Sequence, residues 1–175
     1  MRMLCSQLTP SAAVFHMLSP NFLKELVMLP PHVMLDVLVA PLTSHALLPK
    51  KAHPSDAGFD LALPADCIVT PYTHQQINLS IALQIPPGWY GQIFGRSSVF
   101  RRGLTVHPGV IDADYRGAIQ LLVYNHLSVT QQLRRGDRLA QLLFLPVPAV
   151  QIVEVSPDQL GGTLRGAGGV GSTGR

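Results

Sequence analysis

Two carboxylates, a phenol and a guanidinium crowd the run Pro108-Gly109-Val110-Ile111-Asp112-Ala113-Asp114-Tyr115-Arg116-Gly117, directly after a Gly-Val pair. A carboxylate on a tight turn can take a proton from water, and a nearby ring can pack against the apolar part of a ligand. The spacing predicts a narrow hairpin built for a ligand. Paired aspartates are equally ordinary on a solvated turn.

The other chemistry-bearing segments offer anion donors. Arg165-Gly166-Ala167-Gly168-Gly169-Val170-Gly171-Ser172-Thr173-Gly174 is rich in glycine, which lets successive N–H groups turn toward one anion, while Arg165, Ser172 and Thr173 add further donors. Gly166 and Gly171 have Walker A spacing, but Ser172 stands where the lysine belongs, so an ATPase P-loop is excluded. By composition alone the same stretch also reads as a low-complexity tail. Gly95-Arg96-Ser97-Ser98 supplies a forked cation and two hydroxyls, either a phosphate-binding set or a surface turn. Gln141 interrupts the apolar part of Gly136-Asp137-Arg138-Leu139-Ala140-Gln141-Leu142, as a satisfied core amide or as a ligand donor. Asp60, in Asp56-Ala57-Gly58-Phe59-Asp60-Leu61, reads either as a half-buried structural carboxylate or as an outer contact to a hard cation.

In order and spacing these five segments resemble the five motifs of the homotrimeric dUTPases, over residues 33 to 175, and Gly103-Leu104-Thr105-Val106-His107-Pro108-Gly109-Val110-Ile111-Asp112 looks like the viral form. The resemblance implies hydrolysis of dUTP to dUMP and pyrophosphate, with Mg2+ on the triphosphate. Asp112 would orient the attacking water as general base, and Tyr115 would lie against the deoxyribose. Arg96, Ser97, Ser98 and Gln141 would hold the phosphates, and Asp60 would meet the metal through water. Gly109, Val110 and Ile111 would bind uracil through their backbone. Arg165, Gly169, Val170, Gly171, Ser172 and Thr173 would close over the triphosphate, commonly on a neighbouring subunit. Asp114, Arg116, Asp137 and Arg138 would brace the site.

The implied chemistry is coherent. A ring against C2′ leaves no room for a 2′-hydroxyl, which rejects ribonucleotides. Cytosine presents the opposite hydrogen-bonding pattern at two positions and would leave buried groups unpaired, a mismatch that discriminates strongly. Two alternatives stand beside this reading. A dCTP deaminase of the same fold would need a glutamate base, and this run has Asp112 and no Glu. A catalytically weak relative acting through partner binding rests on Val170, where most members carry phenylalanine, and on the leader. His107 is a further candidate ligand contact.

The elements that position these groups read as strands. Ile77, Leu79, Ile81, Leu83 and Ile85 alternate with Asn78, Ser80, Ala82 and Gln84, which predicts one strand over 75–85 with one buried face. Further strands are expected over 33–40, 90–94, 118–125, 139–145 and 150–155, with short helical turns at 97–102 and 21–28. Many short strands separated by Pro and Gly turns predict an all-β fold, a distorted jelly roll or β-barrel with very little helix. Pro30-Pro31 separates an N-terminal extension, 1–32, from a β domain over 33–162 and a C-terminal arm over 163–175.

At 47% hydrophobic, the 175 residues can build one sizeable core. Thirteen basic against ten acidic residues form no basic stripe, so a nucleic-acid partner is not expected. No apolar run approaches the roughly 20 residues of a membrane span. Cys5 and Cys67 define neither a disulfide framework nor a thiolate metal site, and the seven scattered histidines suggest no zinc. A soluble intracellular protein is expected, cytoplasm and nucleus not being distinguished. Position 170 generates a test: stacking of a base on an aromatic ring is worth roughly 1–3 kcal/mol, so Val170→Phe should lower the KM for dUTP severalfold in steady-state assays.

Overall fold

The computed structural model describes residues 34–169. The expected helical turn at 21–28, Val33, Cys5 and the tail from Val170 lie outside those residues. Within them, eleven strands form four antiparallel sheets, in the order of a distorted jelly roll. The widest sheet places β11 (Arg138–Pro146) between β2 (Phe59–Ala62) and β6 (Trp89–Gly95), with β8 (Gly109–Ile111) on the far side of β6. A second sheet runs β4 (His74–Asn78), β9 (Gln120–Asn125), β7 (Leu104–Val106). Two strand pairs complete the barrel, β1 (Leu38–Pro41) with β5 (Ile81–Gln84) and β3 (Cys67–Val69) with β10 (Gln131–Leu133).

Inward-facing side chains of all sheets meet in one core, in which Leu61, Leu63, Ile81, Leu104, Val123, Leu139 and Leu142 are almost fully buried. β9 shows the period of two most plainly: Leu121, Val123 and Asn125 point inward while Leu122 and Tyr124 face out. Asn125 is the one polar residue among the fully buried side chains of the described region. Its amide donates to the carbonyls of Val69, Thr70 and Val129 at 2.8–3.2 Å, and its Oδ1 accepts the Leu127 N–H at 3.0 Å. One side chain thus satisfies four backbone groups where β3 passes the end of β9.

The expected strand over 75–85 is two strands. Ile77, Leu79, Ile81, Leu83 and Ile85 are all buried as the alternation requires, but the chain changes sheet between β4 and β5. Asn78 Oδ1 accepts the Ser80 N–H at 2.7 Å and Ser80 sits at φ 56, a local turn that ends the ladder. Over 33–40 only the β1 part is paired, because β5 offers four partners; Leu35 and Val37 keep the half-buried face before the ladder and Val39 within it. The expected strand over 150–155 is absent. Pro146 ends β11 and Pro148 follows it, no strand among the described residues pairs with 150–155, and Ile152 is 94% exposed.

Helix is scarce, as expected. The turn predicted at 97–102 is α1 (Ser97–Phe100), closed by the Gly103 N–H on the Phe100 carbonyl at 2.9 Å. Gly103 has φ 71 and lies against Leu127, so a side chain there would be strained and without room. No helix of the described residues is long and apolar enough to cross a membrane. Cys67 is half-buried in β3. Burial, with Asp137 and Asp66 adding negative charge, pushes its thiol up and keeps it protonated at neutral pH.

Asn125→Ala would take the amide donor from the Val69, Thr70 and Val129 carbonyls and the acceptor from the Leu127 N–H, although Thr73 still donates to the Thr70 carbonyl. A loss of at least about 3 kcal/mol of unfolding free energy is expected, read from the shift in urea midpoint at constant m.

Candidate functional site

The run 108–117 crosses between sheets. β8 pairs with β6, whereas β9 pairs with β4 and β7, so the predicted hairpin is in fact an inter-sheet turn. The Tyr115 N–H bonds the Asp112 carbonyl at 3.1 Å and closes that turn. Arg116 braces it by donating to the carbonyls of Ala113 at 2.7 Å and Tyr115 at 3.0 Å; no ion pair joins it to Asp114 among the described residues. From β6, the Gln92 amide donates to the Gly109 carbonyl at 3.0 Å and fixes the start of β8.

A cavity of about 200 Å³ opens beside this turn, and Gly109, Val110, Ile111, Asp112 and Tyr115 all line it. Its back wall is Ile93, Ala118, Ile119 and Gln120. Asp112 is exposed at the rim, free to accept a proton from a bound water. The Tyr115 ring is 44% exposed, and its hydroxyl donates to the Ala118 carbonyl at 3.0 Å.

A second cavity of about 280 Å³ gathers Asp60, Arg96, Ser97 and Gln141 with Asp56, Ala57 and Gly58. Its geometry follows from the sheet. Gln141 on β11 lies opposite Asp60 on β2 and Phe94 on β6, and the Arg96 N–H continues that ladder onto the Leu139 carbonyl at 3.0 Å. Arg96 then caps α1, which directs Ser97 to the same space. Asp60 is the hub: Arg96 pairs with its Oδ1, and Arg138 donates to its Oδ2 at 3.0 Å. Arg96 Nη1 is buried against the carboxylate as an ion pair without an aligned hydrogen bond. The Arg96 guanidinium, the Ser97 hydroxyl and the Gln141 amide bring to this cavity donors of the kind that suit phosphate oxygens, beside the carboxylates of Asp56 and Asp60.

The two cavities share no lining residue. From Gly91, opposite Ile111, to Gly95 and then Arg96 the chain advances about 17 Å at the usual rise of an extended strand. Within one chain, Asp112 and Arg96 therefore stand at opposite ends of β6. Several expected site residues lie outside both cavities. Ser98 and His107 are exposed elsewhere, and Arg165 folds onto its own segment, donating to the Gly168 carbonyl at 2.8 Å, with Gly169 beside it. Val170, Gly171, Ser172 and Thr173 lie outside the described residues. Arg138 holds Asp60 of the second cavity, whereas Asp137 accepts from Arg102 at 3.4 Å and from the Arg134 N–H at 3.2 Å, away from its lining.

Sequence reasoning missed Gly58, Gln92 and Gly117. A Cβ on Gly58 would lie 3.1 Å from Gln141 Oε1 and 3.0 Å from Leu143 Cδ1, so the missing side chain is what lets Gln141 reach the cavity. The signals were Gly58 inside the Asp56–Leu61 segment and Gly117 directly after Tyr-Arg, positions whose meaning depends on packing across the chain.

Comparison with known proteins agrees with this geometry. The dUTPase family model matches residues 44–174. The deoxyuridine 5'-triphosphate nucleotidohydrolase of Nocardia farcinica is 45% identical over 131 residues, 73% of this chain and 78% of that protein. The enzyme of the same name from Nautilia profundicola is 40% identical, over 77% of this chain and 95% of its own. Among solved structures, the Staphylococcus bacteriophage 80alpha dUTPase with dUPNHPP superposes at a TM-score of 0.75, with 24% identity, over 80% of this chain and 99% of that one. The dUTPase from phage phi11 of S. aureus gives 0.66 at 25% identity, over 69% and 96%.

Asp60→Asn removes a negative charge from the second cavity and frees both guanidinium groups. Metal-free binding of inorganic pyrophosphate, measured by titration calorimetry, is expected to tighten severalfold; unchanged affinity would show that this cavity does not take anions.

Proposed function

The chain belongs to the dUTPase family, and we infer that it hydrolyses dUTP to dUMP and pyrophosphate on a site assembled from the two cavities and the Gly-rich arm. The observation that carries this reading is the lining of the first cavity. Asp112 and Tyr115 share one space with the backbone of Gly109 to Ile111, so a base, a ring and main-chain donors and acceptors stand together.

In this reading uracil pairs with the main chain of 109–111, and the Tyr115 ring occupies the space a 2′-hydroxyl would need. Water held by Asp112 attacks the α-phosphorus and passes a proton to the carboxylate. The bond from that phosphorus to the bridging oxygen breaks, and pyrophosphate departs with the electron pair. Arg96, Ser97 and Gln141 hold the phosphate oxygens, aimed where charge grows. The arm over 163–175 closes over the triphosphate with Arg165, Gly169, Val170, Gly171, Ser172 and Thr173.

The residues present fit Mg2+ in one manner. No group of three His, Cys, Asp or Glu among the described residues is placed to cage a metal, but each Asp60 oxygen keeps a lone pair for a metal-bound water. That suits an ion held mainly by substrate phosphates, which would neutralise their charge when bound.

Assembly follows from the separation along β6. The base at one end must reach the α-phosphate held by Arg96 and Ser97 at the other, and a second copy of the chain supplies the missing half. A homotrimer, with the β domain over 33–162 as its body and 1–32 as an appendage, accommodates three such sites. Steady-state pyrophosphate release with dUTP, dCTP, dTTP and UTP tests the activity; turnover confined to dUTP is expected, and ammonia release from dCTP would mark a deaminase instead.

Asp112→Asn should lower kcat by at least about a hundredfold with dUTP binding retained, the lower range for a positioned general base. A chain ending at Leu160 should assemble without activity, and mixing it with the Asp112→Asn chain should restore some turnover. No recovery in the mixed assemblies would mean that each site is built from one chain.

A further inference from the structure

We propose that Gly117 is a positioning residue for sugar selection: its bare α-carbon seats the Tyr115 ring, and the Ala118 carbonyl locks the ring there. The inference rests on the reading of Tyr115 as the face that meets the deoxyribose.

Glycine at 117 is not demanded by the backbone. The described glycines with left-handed φ are Gly88, Gly103, Gly136, Gly161 and Gly166, and Gly117 is not among them. What it supplies is room. A Cβ built there would fall on the Tyr115 hydroxyl oxygen, 2.5 Å from Cζ and 2.9 Å from Cε2. The ring therefore folds back over its own turn with its outer edge on the Gly117 backbone. One residue further on, the Ala118 carbonyl accepts the Tyr115 hydroxyl at 3.0 Å, and Tyr115 and Ala118 line the same cavity.

These contacts act on the far end of the side chain, so an added methyl group displaces the ring before it displaces the turn. The turn is held by groups that do not touch position 117: Tyr115 N–H on the Asp112 carbonyl, and Arg116 on the carbonyls of Ala113 and Tyr115. A displaced ring loses its hydroxyl bond, and a surface free to move no longer holds a fixed boundary against one extra oxygen on C2′.

The test compares kcat/KM for dUTP and UTP in the full-length enzyme. Gly117→Ala should lower the dUTP/UTP ratio about fivefold or more, the effect of losing one hydrogen bond of ordinary strength. Tyr115→Ala should lower it further, and adding Gly117→Ala to Tyr115→Ala should change nothing more, since a glycine that acts only through the ring has no role once the ring is gone. If Tyr115→Ala relaxes selection and Gly117→Ala does not, the inference is overturned while the ring keeps its role. An unchanged ratio in Tyr115→Ala removes the sugar-gate reading, and the inference with it. Should Gly117→Ala fail to fold, Tyr115→Phe decides: it keeps Gly117 and deletes the hydroxyl, and an unaltered ratio overturns the lock.

Discussion

The Asp60 carboxylate, held between Arg96 and Arg138, is the interaction on which the rest of the structure depends. It ties β2, the end of β6 and the start of β11 together at the mouth of the second cavity. A partly buried carboxylate with two cations is well compensated, and the more buried Arg96 depends on the pair more than the half-exposed Arg138 does. Arg96 shows this most sharply, because its Nη1 is buried and Asp60 is the group it faces. Since Arg96 also begins α1, the same pair sets where Ser97 points. Sheet closure and the proposed phosphate site thus share one charge cluster, and an entering phosphate would meet a pair already made.

The first cavity is built on a different principle. Its strand residues 109–111 are placed by the pairing of β8 with β6 and by Gln92 on the Gly109 carbonyl. Only Asp112 and Tyr115 bring a reactive group and a ring to it. Val110 lines the cavity and is 63% exposed. A surface read through the backbone depends on register, so the residues that matter most are those that hold β8 in place.

Periodicity made the core legible: every residue of the alternating series from Ile77 to Ile85 is buried where expected. It could not show the change of sheet at Ser80, because burial alternates through the turn just as it would along one strand. Alternation likewise suggested a strand over 150–155 that has no ladder partner, since pairing is a property of distant segments. The candidate site residues Asp60, Arg96, Asp112, Tyr115 and Gln141 stood out through the resemblance of their segments to the dUTPase motifs, because by type and spacing alone most of them read equally as ordinary surface or core residues. Their division between two cavities was not legible, for it arises from the antiparallel pairing of β6 with β8, which sends equal sequence distances in opposite directions. Gly58 and Gly117 escaped for a related reason, as a missing side chain signals nothing until its neighbour is known.

The separation of Asp112 from Arg96 along β6 also bears on how the enzyme would be regulated in a cell. If neither half is competent alone, turnover scales with a power of subunit concentration near the assembly threshold. Dilution during cell growth would then silence the enzyme more steeply than it thins the protein, and a modest rise in synthesis would restore it as abruptly. Expression level would act as a switch with a threshold, with no effector molecule required.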